Sequence, residues 1–588
     1  MAMASSTLLI EAPHRLRAFV RARETSLVVI AALIGLIAGL LVAAMGAAVT
    51  FLHSLFFGLE LDQRLSAQPT IDPTRALIVP ALGGFALALG YLLVHRWRPG
   101  REVDPIEANA LRGGQMSLRG SMIVALQTVW SSGVGASVGL EAGYAQIASG
   151  TASAIGRAFR LRRADQRIMV GCGAAAAIAG AFGAPLAGAF YAFELILGAY
   201  TPPSLASIGV AALAGYTVAH TLAFLPLGVI VTEVGNVSPQ DLAVAGLLGL
   251  CAALCGIVIM RGVTLTEALL SKGRLWRPLG PALGGLIVGS LALVSPQVLS
   301  SGHGALHLAG IATWPISAIG TVFVLKAVAS IVSLGSGFRG GLFFSSLLIG
   351  ALGGHLFAAA ISAIWPDLKL DPNLYAIIGM SALSASVVGG PLTMSFIALE
   401  TTGNLWLTSA VLVAVIISAQ TTRELFGYSF ATWRLHLRGE TIRSAADIGW
   451  LRDLTARTMM RRDVITVNAE TPVAEFRSKF PLGSKTQIVA VDKDGHYVGI
   501  VFVAEAHGLN DFKAANVKDI LHYRGVTLLP DMNIKQVVAI FDWAEAESLV
   551  VIDDSKRGRV MGILTEAHVL RRYAQELERR RRDIVGET

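Results

Sequence analysis

The chain has 588 residues, 54% of them hydrophobic and 15% charged, with a mean hydropathy of +0.61 and a formal net charge of +8. So apolar a composition excludes an ordinary soluble protein and marks a membrane protein. Its three cysteines, Cys172, Cys251 and Cys255, form no CxxC, and the two that are one helical turn apart in an apolar run read as packing residues, not metal ligands.

Arg15, Arg17, Arg21 and Arg23 precede the first apolar run, residues 26–59, and predict a cytoplasmic N-terminal segment over residues 1–25. A second run, 76–95, is followed by His95, Arg96, Arg98 and Arg101, which returns the chain to the same side. These charges, like the basic stretch 157–167, read as topology and lipid contact in place of nucleic-acid binding. No signal-peptide cleavage pattern is apparent at the N-terminus. Further apolar runs cover 168–197, 205–231, 242–260, 283–294, 318–334, 342–364 and 375–420. Several exceed the roughly 20 residues that cross a bilayer once and others fall short, which predicts broken, tilted and re-entrant helices.

Residues 173–194 and 379–400 repeat each other at an offset of 206. Gly173 matches Gly379, Ala176 Ala382, Ala179 Ala385, Gly183 Gly389, Pro185 Pro391, Leu186 Leu392 and Glu194 Glu400. Small residues coincide easily in such a chain, but prolines and carboxylates are scarce and costly inside hydrophobic segments. Two halves, 26–235 and 236–440, with Gly/Pro-interrupted segments point to a transporter whose site lies between them. Ahead of each Pro-Leu repeat stands a glycine-flanked helix start, Gly139-Leu140-Glu141-Ala142-Gly143-Tyr144-Ala145-Gln146 and Gly340-Gly341-Leu342-Phe343-Phe344-Ser345-Ser346. Glycines admit close backbone approach, and free amides at the positive end of a helix favour an anion. A cation transporter would instead need converging carboxylate or carbonyl oxygens.

Beyond Arg438 the long apolar runs stop, and residues 441–588 read as a separate charged α/β module. Strands are predicted at 464–467, 488–491 and 497–503, and again at 526–529, 549–552 and 560–564. Each set carries a Gly-Ile pair, Gly499-Ile500 and Gly562-Ile563, so the module is itself a repeat. The basic run 571–582 reads as the solvated end of a last helix, with anionic lipid as a contact.

The order and spacing of these motifs resemble those of the CLC chloride channel and transporter family over residues 26–440. Its GxEGPxxQ pattern corresponds to Gly139 through Gln146, its GSGxxGGxFxP pattern to Gly335 through Ser345, its Ala-Pro-Leu-Ala-Gly element to Ala184 through Gly188, and its late tyrosine to Tyr428. The tail resembles tandem CBS domains, at about 456–510 and 515–575. The resemblance implies an all-α polytopic membrane protein, an inverted repeat of broken, tilted helices, joined to an α/β cytoplasmic CBS pair. It implies a homodimer with one pore per subunit, both termini cytoplasmic, in a plasma or inner membrane. Chloride or a similar anion (nitrate, fluoride) would be bound by the amides of Leu342 and Phe343, the hydroxyl of Tyr428, and the segment holding Gly139 and Leu140. Glu141 would be the gate: a tethered anion released by protonation. The resemblance implies transport and no enzymatic chemistry.

Three departures qualify it in the membrane domain. The family's first motif, GSGIP, aligns with residues 101–105, so Glu102 replaces the anion-contacting serine. The inner proton-transfer glutamate falls at Leu195, which cannot carry a proton. Glu194 is then the candidate for a proton path, although its partner Glu400 suggests that both carboxylates satisfy buried backbone donors. Ala142-Gly143 and Ser345 stand where the family has Gly-Pro and proline. Leu195 favours a channel-like or weakly coupled mechanism, and the retained Glu141 keeps a tightly coupled chloride/proton antiporter as the alternative. At the CBS pair the usual nucleotide pattern, a hydroxyl residue followed three places later by Asp, becomes Thr565 followed by His568, and Phe502 replaces the first copy's hydroxyl. This favours a structural or dimerising role over adenine-nucleotide binding. A metalloprotease reading would require HExxH, which is absent; His303 and His307 have no acidic residue between them.

Overall fold

The computed structural model describes Pro13, Gly235 and residues 24–97, 102–223, 237–271, 276–306, 314–437, 454–508, 516–554 and 558–585. Arg15, Arg17, Arg21, Arg23, Arg98, Arg101 and His307, and the junction near residue 440, lie outside the described residues. The chain divides into two compact units, Met1–Asp447 and Ile448–Thr588.

In the first unit seven of the described helices are long and apolar enough to cross a membrane, from Thr25–Phe57 to Leu405–His436. Between them lie shorter apolar pieces, Pro185–Leu197, Leu279–Ala292 and Pro372–Val388, so the helices are broken as their lengths predict. The two halves pack alike. Helix Glu24–Phe57 lies against Pro202–Leu222, as Pro239–Ser271 lies against Leu405–Leu425. Glu141–Ala158 packs on Arg163–Phe182, as Phe343–Ile364 packs on Pro372–Val388. Glycine permits the close approach in both pairs: a Cβ on Gly173 would lie 2.6 Å from the Ala148 carbonyl oxygen, and one on Gly379 would overlap the carbonyl of Gly350. Leucines such as Leu82, Leu213 and Leu405 point outward, the pattern of a surface solvated by lipid.

The repeated Gly-x-Pro-Leu segments turn alike. Helix Arg163–Phe182 ends at Gly183 with φ +66°, and Pro372–Val388 ends at Gly389 with φ +89°. This left-handed conformation favours glycine and stops a helix. A proline then opens the next helix, where it forfeits no hydrogen bond: Pro185–Tyr191, continued by a π-helical turn Ala192–Leu197, and Pro391–Thr402. The free amides at these two helix starts are met crosswise. Glu194 accepts from the Leu392 and Thr393 amides at 2.9 Å each and from the Thr393 hydroxyl at 2.6 Å. Glu400 accepts from the amides of Leu186 at 2.8 Å and Ala187 at 2.9 Å. Each half therefore caps a helix of the other.

The second unit holds two three-stranded sheets of identical plan. β1 (Thr466–Asn468) pairs in parallel with β2 (Gln487–Val491), which pairs antiparallel with β3 (Tyr497–Phe502). β4 (Thr527–Leu528), β5 (Ser548–Ile552) and β6 (Val560–Thr565) repeat this order. Both antiparallel pairs are irregular at the same place, Ala490/Val491 and Val551/Ile552. Val489, Ile500, Val550 and Ile552 form one apolar cluster that joins the two sheets.

Replacing Glu400 by alanine leaves the Leu186 and Ala187 amides without their acceptor. We expect this to cost about 1–3 kcal/mol, read as a lowered thermal midpoint of the detergent-solubilised protein relative to wild type.

Candidate functional site: two helix starts and a carboxylate

The helix starts singled out in the sequence meet. Gly139 donates its amide to the Gly341 carbonyl at 2.9 Å, and Gly341 donates back to the Gly139 carbonyl at 3.0 Å, so helices Glu141–Ala158 and Phe343–Ile364 begin side by side. Glycine at both positions makes room for this placement of Glu141, since a Cβ on either Gly139 or Gly341 would meet its carboxylate. That carboxylate is 5% exposed. Its Oε1 accepts from the Phe343 amide at 2.6 Å, and its Oε2 has no hydrogen-bond partner among the described residues. A negative group thus sits at the positive end of helix Phe343–Ile364, where an anion would be held.

Glu141 faces a cavity of about 380 Å³ whose wall includes Glu102, Gln146, Tyr191, Leu342 and Phe343. Gln146 donates to the Val103 carbonyl at 2.8 Å and tethers the segment that carries Glu102. The carboxylate of Glu102 lies against Gly120 at the start of helix Leu118–Gly133, in the space a Cβ there would take. Neighbouring Asp104 is committed to capping helix Pro105–Leu111, accepting from Ile106 and Glu107. Leu140, the residue before the carboxylate, lines a different cavity of about 100 Å³ together with His53, Arg64, Tyr144 and His303. The Leu140–Glu141 peptide thus stands between two cavities.

The structure does not bring all the expected residues together. Tyr428 lines a third cavity of about 80 Å³ with Glu194, and not the one that Glu141 faces. Its ring stacks on His436 at 4.5 Å and its hydroxyl bonds His436 Nδ1 at 3.0 Å. Gly427, with φ +87°, turns the chain just before it. Leu195 and Ile106 line both cavities, so apolar side chains form the wall between Glu194 and Glu141. Among the residues of the Glu141 cavity that escaped the sequence reading are Tyr191, Arg339 and Arg434. Arg339 lay inside a quoted motif, and a cation in a glycine-rich helix start was a usable signal. Arg434, just before the point where the apolar runs stop, was not singled out.

In the second unit, Thr565 ends β6 and His568 lies on the helix Glu566–Val585 that follows. Partial burial, with Arg461, Arg572 and Arg571 near it, holds the His568 imidazole below its usual pKa. Among the described residues, one acidic group could hold a metal, Asp492, Asp494 and His496. Asp492 Oδ1 there accepts from the Asp494 and His496 amides, and Oδ2 bonds the His496 ring at 3.0 Å. A tight turn accounts for the group.

The family described as the voltage gated chloride channel matches residues 83–423, and the CBS domain matches 452–504 and 517–575. The voltage-gated ClC-type chloride channel ClcB of Salmonella typhimurium is 31% identical over 401 residues, covering 67% of this chain and 95% of that protein. A slow cyanobacterial Cl-/H+ antiporter has a crystal structure that superposes with a TM-score of 0.60 at 24% identity, over 70% of this chain and 97% of that one. A eukaryotic CLC transporter superposes with a TM-score of 0.54 at 19% identity and covers 94% of this chain and 98% of its own, so the likeness in fold reaches into the tail. The chain with its crossed helix caps, paired helix starts and repeated tail is a member of the voltage-gated chloride channel (CLC) family that carries two CBS domains.

Proposed function

We propose that the protein carries chloride, or a similar anion such as nitrate or fluoride, across a membrane by a path gated by Glu141. One observation carries this reading: a buried carboxylate, bonded to the Phe343 amide and with a second oxygen left over, faces one cavity while the residue before it, Leu140, lines another. An unpaired buried charge is costly. Protonation removes that cost and frees the side chain to swing away, and the amides of Leu342 and Phe343 are then open to a mobile anion. Gly139 and Leu140 hold the carboxylate in place. Glu102 adds a negative group to the same cavity and opposes anion entry while ionised.

We read the mechanism as channel-like or weakly proton-coupled. Leu195 replaces the family's inner proton carrier, and both oxygens of Glu194 are engaged by Leu392 and Thr393, which suits a structural carboxylate better than a proton relay. We further propose a homodimer with both termini cytoplasmic, and a CBS pair that is structural or dimerising. The usual acidic residue after Thr565 is His568, which lies close to three arginines; this supports the structural role over nucleotide binding.

In liposomes, chloride efflux is expected to rise as pH falls, by at most about tenfold per unit for a one-proton switch, and Glu141→Ala is expected to abolish that dependence. No efflux from wild type in chloride, nitrate or fluoride would sink the reading. A chloride gradient is expected to drive little or no uphill proton movement. Strong proton movement that Glu194→Gln removes while sparing chloride efflux would overturn the structural role given to Glu194 and establish tight antiport. Calorimetric titration of the full-length protein with ATP and AMP is expected to give no saturable heat, and a saturable midpoint would reverse the assignment of the CBS pair.

A further inference from the structure

The wall of the Glu141 cavity carries two cations that the gate does not use. Arg339 precedes the helix start Gly340-Gly341-Leu342, and Arg434 lies on the short helix Phe430–His436. Neither guanidinium makes a hydrogen bond or ion pair among the described residues, and the Nε of Arg339 is a buried donor with no partner. They stand within electrostatic reach of each other, and both reach Tyr91. The carboxylates of Glu267 and Asp104 lie within electrostatic reach of Arg434 without forming an ion pair with it, and the direct contacts of the two arginines are not to acids. Arg339 is anchored by its backbone amide, which donates to the Ser131 hydroxyl at 3.0 Å. The Arg434 guanidinium lies 5.8 Å from the centre of the Phe430 ring, and Tyr91 gives its hydroxyl proton to the Gly337 carbonyl at 3.0 Å.

Two like charges inside a membrane domain repel each other and lose hydration, and such groups mark ion paths when no structural partner accounts for them. Three carboxylates share the cavity; Asp104 gives one oxygen to capping its helix and Glu141 gives one to the Phe343 amide. Glu102 remains, and it offsets part of the positive charge.

We propose that Arg339 and Arg434 form a second anion-binding position in this cavity, distinct from the amides of Leu342 and Phe343, that favours planar monovalent oxyanions over chloride. This rests on the anion-path reading above. A guanidinium presents parallel N–H donors whose fork matches two oxygens of a planar anion, whereas a spherical halide takes one direction of approach. Glu102 limits occupancy to single charge, since a divalent anion would meet its carboxylate as well as the two cations.

The test uses full-length protein in liposomes, with chloride and nitrate efflux measured over a range of anion concentrations. Arg339→Gln and Arg434→Gln are each expected to raise half-saturating nitrate about tenfold, the loss of one charge-assisted contact, and half-saturating chloride by less. Arg339→Lys, which keeps the charge and loses the fork, is expected to keep the chloride value near wild type while the nitrate value still rises. Equal shifts for both anions in every variant, or none, would overturn the proposal even though wild type transports. If either glutamine variant does not fold, as judged by gel filtration, Arg339→Lys and Arg434→Lys decide by the same ratio. Failure of wild type to carry any anion would instead count against the underlying reading of the site.

Discussion

The first turn of a helix carries backbone amides with no partner in its own chain, and in a membrane interior water is not there to take them. Three helix starts of the first unit are met by a carboxylate from about two hundred residues away in the chain. Glu194 meets the start of Pro391–Thr402 with three hydrogen bonds and Glu400 meets that of Pro185–Tyr191 with two. Glu141 meets the start of Phe343–Ile364 with one and keeps an oxygen unpartnered. The same chemistry thus gives two caps that are saturated and one that is not. The unsaturated one is displaced at least cost, and it is the one that faces the cavity of about 380 Å³.

Much of this was legible before any coordinates. The duplicated Pro-Leu…Glu segments announced a repeat because prolines and carboxylates are improbable in apolar runs, and the structure gives them matching turns at Gly183 and Gly389. The glycines around Glu141 were readable as close-approach residues, and the collision that a Cβ would make with the carboxylate is the reason. The alternation of short strands in the tail located each strand within a residue or two, because a valine-rich run bounded by turns has few alternatives.

Other features depended on what lies far apart in sequence. Nothing local to Tyr428 says that His436 holds its hydroxyl, since that contact needs the turn at Gly427 and the short helix after it. Nothing local to Glu194 says that its acceptors are used by a helix start about two hundred residues on, although the equal spacing in the two repeats hinted at a shared role. Arg339 and Arg434 are 95 positions apart and acquire meaning only as neighbours on one wall.

The crosswise caps bear on how such a chain is made. A polypeptide inserted from its N-terminus delivers Glu194 and the Leu186 and Ala187 amides into the bilayer well before Glu400 and the Pro391 helix exist. Until the second half arrives, the first holds a carboxylate without donors and donors without an acceptor, both unfavourable in hydrocarbon. Completion of the second half removes both defects at once. The hydrogen bonding of the first half is therefore completed only when the chain up to Glu400 is in place, which makes the two halves one unit of stability.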